Sequence, residues 1–364
     1  MTLSTTFDQA WLRDNYQDAN GEYYNWNDGD RYNINPYWVL NKMSNDSKKD
    51  TYRGSAVIRY RPFKQMSLRA TLGTDMNFLV FEDFAYPTSP GREMGALTIK
   101  DYRNRTYTAE FLASYRDRFK KLNYGATVGG NIYKVDNKTR IIMAQNMVMR
   151  DAKALESFSE RKIEEEPYCK QINSVYGSLN LGYDNFAYMD MTLRGDYSST
   201  LPIQNNLYWY PSVSGSFLFS EFFHINKKIL PYGKVRASWA KVGNDTWPYL
   251  LQLMYEMAPH NFGKYPMASI TNDVIPNKKL KPTMTNSMEL GFELKFLNNR
   301  IGLDVTYYNQ HSRDQILRMN TAHGSGYRFK MVNAGDIENR GIELVLNTRP
   351  NKTQDNGKRV ANKS

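Results

Sequence analysis

The chain is short of the residues that carry most protein chemistry. Among 364 residues there is one cysteine, Cys169, and there are four histidines, His224, His260, His311 and His323. A single thiol cannot close an internal disulfide and reads as incidental. The imidazoles are dispersed, with no Cys, Asp or second His at ligand spacing, so no zinc site is expected. Gly-X-Ser-X-Gly elbows and phosphate-cradling glycine loops are missing, which leaves no basis for an enzyme or for a bound cofactor. No stretch approaches the roughly 20 consecutive apolar residues of a membrane helix. Acidic residues are outnumbered, 37 against 48 Lys and Arg, for a net charge of +11. The cations are scattered and no helix-turn-helix or RNA-binding pattern accompanies them, so nucleic acid is not expected as a partner. A wet lumen or a face toward anionic lipid accounts for the charge more simply, and the acidic run 164 to 166 reads as solvated surface.

What is present is alternation. In 188 to 197, Met189, Met191, Leu193 and Tyr197 fall on one parity while Asp190, Thr192, Arg194 and Asp196 fall on the other. A strand reverses its side chains at every residue, so this segment has one apolar and one wet face. Segment 174 to 184 repeats the pattern, and only Asn185 to Ala187 separates the two, as in a hairpin. Nine further segments fit: 53 to 62, 66 to 76, 106 to 116, 123 to 133, 211 to 219, 232 to 241, 286 to 296, 300 to 309 and 339 to 348. The expectation is an all-β, antiparallel transmembrane β-barrel wall of about eleven strands. A mean hydropathy of -0.67 does not oppose it, because a barrel commits only alternate residues to lipid.

The connections between these segments alternate in length. Residues 63 to 65, 117 to 122, 185 to 187 and 297 to 299 are tight turns and 220 to 231 is a longer one. Between them lie 77 to 105, 134 to 173, 198 to 210, 242 to 285 and 310 to 338, within which 152 to 166 has helical spacing. Short periplasmic turns and long extracellular loops are sorted this way in outer-membrane barrels. Tyr107, Tyr197 and Tyr307 then sit at outer strand ends and Tyr60, Tyr115, Tyr124, Tyr183 and Phe296 at inner ends. Tyr107 and Tyr115 are separated by roughly 20 Å along the membrane normal, given about 3.3 Å per residue and a tilt of about 40°. Interfacial rings at both edges of an apolar band are expected because the ring prefers the headgroup region while its hydroxyl needs water.

Eleven strands leave two unpaired edges, which lipid does not tolerate, and 1 to 21 has no secretory signal. The sequence is therefore expected to be an internal segment of a longer barrel protein: an extracellular leading segment 1 to 52, a partial barrel 53 to 348, and a polar tail 349 to 364.

Several motifs then carry a resemblance. Asn35-Pro36-Tyr37-Trp38 precedes the first strand. Thr192-Leu193-Arg194-Gly195-Asp196-Tyr197-Ser198-Ser199 is similar to a "T-L-R-x-D-G-S-S" pattern. Tyr210-Pro211-Ser212-Val213-Ser214, Ser220-Glu221-Phe222-Phe223, Val235-Arg236-Ala237-Ser238-Trp239, Gly243-Asn244-Asp245, Leu280-Lys281-Pro282, Glu289-Leu290-Gly291, Val305-Thr306-Tyr307-Tyr308-Asn309 and the run from Val332 to Glu343 follow in order. From about Asn35 onward the chain resembles the SusC/RagA-type TonB-dependent transporters of Bacteroidetes outer membranes. The resemblance implies a 22-stranded barrel plugged by an N-terminal domain, located in the outer membrane of a Gram-negative, Bacteroidetes-like cell. It implies a SusD-like surface lipoprotein as lid, a TonB complex acting through a segment near the transporter's N-terminus, and import of an oligosaccharide or peptide. A passive porin-like channel and a soluble carbohydrate-binding β-protein are the alternatives.

Strand parity places Asp190, Thr192, Arg194, Lys234, Arg236, Glu289 and Glu293 toward the lumen. Trp209, Trp247 and Tyr249 fall in expected extracellular loops, where each ring either stacks on a substrate or packs within the loop. Asp245, Asn333 and Glu338 stand where strands meet loops and are expected to fix loop backbone.

Overall fold

A computed structural model describes residues 8–27, 33–150, 152–251, 253, 255–257, 262–270 and 274–349. Its main feature is one eleven-stranded sheet. In chain order the strands are β1 (Met43–Tyr60), β2 (Met66–Ala85), β3 (Ala96–Phe119), β4 (Leu122–Met147), β5 (Phe158–Tyr183), β6 (Ala187–Ser198), β7 (Leu207–Phe217) and β8 (Tyr232–Asn244). Short strands β9 (Tyr255–Met257), β10 (Ala268–Ile270) and β11 (Val274–Ile275) precede β12 (Thr283–Phe296) and β13 (Ile301–Arg313). Two more short ones, β14 (Ile316–Asn320) and β15 (Phe329–Asn333), precede β16 (Asp336–Thr348). The sheet order is β1 to β8, then β12, β13 and β16, so every strand lies beside its sequence neighbour among the long ones and β1 and β16 form the edges. The expected strand number is met. No helix among the described residues is long and apolar enough to cross a membrane, a test that does not bear on strands.

Turn chemistry closes the hairpins. Asp184 and Asn185 between β5 and β6, and Leu297, Asn298 and Asn299 between β12 and β13, all have left-handed backbone with φ between 46° and 65°. Asn and Asp tolerate that region better than other residues with side chains.

Register fixes two chemically different faces. Leu181, Met189, Gly215, Ala237, Leu290, Tyr307 and Ile342 stand opposite one another in a row across β5, β6, β7, β8, β12, β13 and β16. One residue along, the row reads Asn180, Asp190, Ser214, Ser238, Glu289, Tyr308, Gly341. The apolar face is uncovered: Met288 is 60%, Leu344 65% and Ile342 72% exposed. A contiguous exposed apolar surface of this kind is a liability in water and favourable against hydrocarbon.

The strands differ from the sequence expectation in length. Residues expected as loops at 77 to 105 and 134 to 173 are mostly strand, leaving connections of only 86–95 and 148–157. In these extensions apolar runs such as Phe78-Leu79-Val80-Phe81 and Ile141-Ile142-Met143-Ala144 break the alternation while the backbone ladder continues. The helical spacing at 152 to 166 gives a single 3-10 turn, Leu155–Ser157, followed by β5. The first strand begins at Met43, so the boundary expected at 52/53 falls inside β1. Two short helices precede it, α1 (Gln9–Asp14) and α2 (Pro36–Lys42). A third, α3 (Phe219–Phe222), lies in the turn after β7. Of the expected polar tail, 350–364 lies outside the described residues, as does His260.

The chain divides into two compact units. The first comprises Met1–Val57, Thr71–Ala109 and Tyr133–Gln171. Phe84, Leu97, Ala144, Met147 and Phe158 form its apolar cluster. In the Asn-Pro-Tyr-Trp motif, Asn35 caps α2 by accepting from the Tyr37 N–H at 3.0 Å and donates to the Leu12 carbonyl at 2.9 Å. Pro36, which has no N–H to leave unsatisfied, takes the first helical position. Trp38 is fully buried, and its indole N–H donates to Ser89 Oγ at 2.9 Å.

The second unit comprises Ile58–Ala70, Glu110–Ile132 and Ile172–Ser364. Its cluster, Leu201, Tyr208, Leu280 and Met331, lies under the loops that follow β6, β8 and β13. Asn333 ties these loops together: its Oδ1 accepts from the Lys281 N–H at 2.8 Å, and its Nδ2 donates to the carbonyls of Lys281 at 2.7 Å and Asp314 at 2.9 Å. The Leu-Lys-Pro and Val-Asn-Ala-Gly motifs meet in the two bonds between Asn333 and Lys281.

Candidate functional site: the polar face of the sheet

The polar face of the second unit carries two connected groups of side chains. Asp196 on β6 is the hub of the first, at 6% exposure. Arg194, two residues earlier on the same face, donates from Nε to Asp196 Oδ1 at 2.8 Å and to the Tyr210 hydroxyl at 2.9 Å. Its Nη2 donates to Ser174 Oγ at 2.8 Å. The Tyr210 hydroxyl in turn donates to Asp196 Oδ2. Arg194 also sits 5.4 Å from the centre of the Tyr176 ring, within range of a cation–π contact. Beyond it, the Tyr176 hydroxyl donates to Glu110 Oε1 at 2.6 Å, and Arg69 Nη2 reaches Glu110 Oε2 at 2.9 Å. One chain of polar contacts thus runs from β2 to β7. To reach Glu110 on β3, Tyr176 on β5 passes over β4 at Gly129, where a Cβ would stand 3.0 Å from the ring.

The second group uses the same device. Arg236 on β8 lies directly opposite Gly291 on β12, which lies opposite Thr306 on β13. Arg236 crosses that glycine to grip Asp304 with both terminal nitrogens, at 3.0 and 2.9 Å, and donates to Thr306 Oγ1 at 2.6 Å. A Cβ on residue 291 would fall 2.5 Å from Arg236 Nε. The fork geometry of guanidinium is what makes this bidentate grip on a carboxylate possible.

Between the two groups lies a recess of about 230 Å³ whose lining includes Asp190, Ser214, Ser216, Lys234, Arg236 and Glu289. Four residues placed on the lumen parity from sequence are therefore brought together: Asp190, Lys234, Arg236 and Glu289. Thr192 and Arg194 share their face; Arg194 lies in the Asp196 group, and Thr192 pairs with Ser212, their hydroxyl oxygens 2.6 Å apart. Glu293 pairs with Lys295 at 3.3 Å. The recess is hydrophilic, lined by both charge signs and hydroxyls; it can hold water, a polar ligand group or a polar surface of another domain.

Three aromatics were expected in extracellular loops, and one is not there. Trp209 lies in β7 opposite Gly195 on the apolar parity, its ring atoms 2.8 to 2.9 Å from where a Gly195 Cβ would be. Backbone pairing extends β7 back to Leu207, and the indole covers the gap left by the glycine. Trp247 and Tyr249 do lie in the loop after β8, 70% and 41% exposed. Asp245 at the start of that loop accepts from the hydroxyls of Ser198 and Thr200, which are 0% and 2% exposed. Glu338 accepts from Asn309 Nδ2 at 2.9 Å. Strand parity did not single out Tyr208 and Tyr210, because the segment ending at residue 210 read as loop. Continuing the parity of β7 backward by two pairs would have found both.

Comparison with known proteins is consistent with this geometry. A family model described as TonB dependent receptor-like, beta-barrel, matches residues 2–358. TonB-dependent receptor P26 of Formosa agariphila is 24% identical over 326 residues, which is 86% of this chain and 33% of that protein. TonB-dependent receptor SusC of Bacteroides thetaiotaomicron is 27% identical over 192 residues, 50% of this chain and 19% of SusC. Among solved structures, that of the RagAB peptide transporter superposes with a TM-score of 0.82 at 19% identity, covering 92% of this chain and 38% of that one. The chain spans about a third of the length of the Formosa relatives.

Proposed function

The chain belongs to the TonB-dependent receptor-like β-barrel family, and on that premise we propose that it supplies about half the wall of a SusC/RagA-type outer-membrane importer. That family consists of transporters, not enzymes. The observation that carries the proposal is the eleven-stranded antiparallel sheet with one exposed apolar face and one polar face, which suits lipid on one side and a wet lumen on the other.

In this reading Asp190, Thr192, Arg194, Lys234, Arg236, Glu289 and Glu293 face the lumen, and Trp247 and Tyr249 belong to the extracellular rim. Trp209 turns outward to the membrane interface instead of toward substrate. Residues 1 to 52 begin on the extracellular side, the strands form the wall, and 349 to 364 follow the last of them. The importer works with a SusD-like surface lipoprotein and a TonB complex, and its cargo is an oligosaccharide or a peptide. The relationship to SusC and the fold shared with the RagAB transporter support this assembly. The loops bound together by Asn333 and Asp245 offer a pre-ordered rim for such a lid.

The test uses the complete reading frame that contains this chain, expressed in a Gram-negative host. A barrel in the outer membrane is extracted only by detergent and changes gel mobility on heating. An importer takes up labelled oligosaccharide or peptide only when TonB is present. A TonB-independent leak of small solutes would replace the importer by a porin-like channel, and a soluble product would overturn the barrel.

A further inference from the structure

We propose that the outward face of β3, β4 and β5, just beyond Tyr107, binds the phosphate groups of outer-leaflet glycolipid. The inference rests on the outer-membrane reading above. All of its residues lie within the first unit.

The face is assigned by contact. A Cβ at Gly73 would meet Thr108 Oγ1 at 2.6 Å, so these two residues look toward each other on one side of the sheet. Their neighbours Leu72 and Tyr107, 62% and 37% exposed, are on the other. From Tyr107 the alternation carries Arg105, Arg103 and Asp101 to that same outward side. Arg105 pairs with Asp136 at 3.9 Å, which brings Lys134, Lys138 and Arg140 of β4 to the same side. Glu165 of β5 joins them through contacts of 2.8 Å to both Lys138 and Arg140. Five cations, Lys134, Arg105, Arg103, Lys138 and Arg140, therefore face outward against three carboxylates.

Arg105 stands at headgroup height and Arg103 just above it. Arg105 and Arg103 lie two and four residues past Tyr107, roughly 5 and 10 Å along the membrane normal with strand rise and tilt applied. The headgroup layer on each side is about 5–8 Å thick, and Lys and Arg side chains extend further to keep their charge in the polar layer.

The carboxylates orient the guanidinium groups without exhausting them. Arg103 spends Nε and Nη2 on Asp101, and Arg140 spends Nε on Glu165. A guanidinium has five N–H donors, so several remain for a phosphate. The side chains of Arg103, Arg105, Lys138 and Arg140 are 44%, 38%, 45% and 41% exposed. Lys134 has no ion-pair or hydrogen-bond partner among the described residues.

The experiment takes the complete receptor in detergent and titrates it with lipid A, with dephosphorylated lipid A, and separately with inorganic phosphate, reading bound lipid by native mass spectrometry. Retention of lipid A is expected to exceed that of the dephosphorylated form by about tenfold, as several surface cations acting together give. The combined variant Lys134→Gln, Arg105→Gln, Arg103→Gln, Lys138→Gln is expected to lose that preference, and millimolar phosphate is expected not to compete. Equal retention of both lipids, or an unchanged preference in the variant, overturns the proposal. Competition by free phosphate turns the lipid surface into a simple anion site and overturns it too. Heat-dependent gel mobility is run on every sample: a receptor without it fails the barrel reading, whereas a well-folded barrel without lipid preference fails this inference alone. If the combined variant does not fold, Lys134→Gln carries the comparison, because that side chain supports no contact within the protein.

Discussion

Replacing Gly291 by alanine tests whether the glycine is there to let an arginine pass. In an ordinary strand interior the change should help, since glycine is worse than alanine by roughly 0.5–1 kcal/mol. Here the new Cβ would stand 2.5, 2.9 and 3.0 Å from Nε, Cγ and Cζ of Arg236. Such distances force the arginine aside. Arg236 cannot move and still hold Asp304 at 3.0 and 2.9 Å and Thr306 at 2.6 Å. The side chains of Arg236 and Asp304 are 37% and 31% exposed, so the pair is discounted toward the surface value and its bidentate geometry brings it back to about 1–2 kcal/mol. Gly291→Ala is therefore expected to destabilise by about 1 kcal/mol with Arg236 present. In an Arg236→Ala background it is expected to stabilise by up to about 0.5 kcal/mol. The coupling, about 1.5 kcal/mol, is the quantity a double-mutant cycle isolates. Urea unfolding of the complete receptor in lipid vesicles, followed by the fraction retaining heat-dependent gel mobility, measures all four proteins. A Gly291→Ala effect of the same sign and size in both backgrounds would refute the crossing argument.

Other outcomes follow from the same geometry. Asp196→Ala leaves Arg194 without its carboxylate on a half-buried face and is expected to cost about 2–4 kcal/mol by the same unfolding assay, with Asp196→Asn less costly; an effect under half a kcal/mol would mean that the Arg194 and Tyr210 contacts carry little. Gly195→Val puts a branched side chain where the Trp209 ring lies at 2.8 Å, so the indole should be displaced and its fluorescence quenching by brominated lipid should change; unchanged quenching would show that the ring does not lie on the lipid side. Asn333→Ala removes three bonds to the backbone of Lys281 and Asp314, and limited proteolysis should then cut between 314 and 335 faster while the barrel keeps its gel mobility.

The strands that the sequence revealed are those with one apolar face. In 188 to 197 and 286 to 296 the alternation gave both the strand and its polarity, and β6 and β12 pair in the register that alternation requires. Residues 77 to 85, 96 to 105 and 134 to 147 were lost to loops because apolar and polar residues do not alternate there, although they belong to β2, β3 and β4. The same blind spot misplaced Trp209 and hid Tyr210, since β7 begins four residues before the segment recognised as strand.

Sequence by itself determined the periodic two-faced pattern, the number of strands in the main sheet, and the family motifs. These are local properties, written at a spacing of two residues or as contiguous runs. Which polar residues act together was decided only by the tertiary structure. Arg236 meets Asp304, and Tyr176 meets Glu110, across an intervening strand, so each pairing depends on the register of three neighbouring strands and on a glycine in the middle one. No spacing within a single segment encodes that.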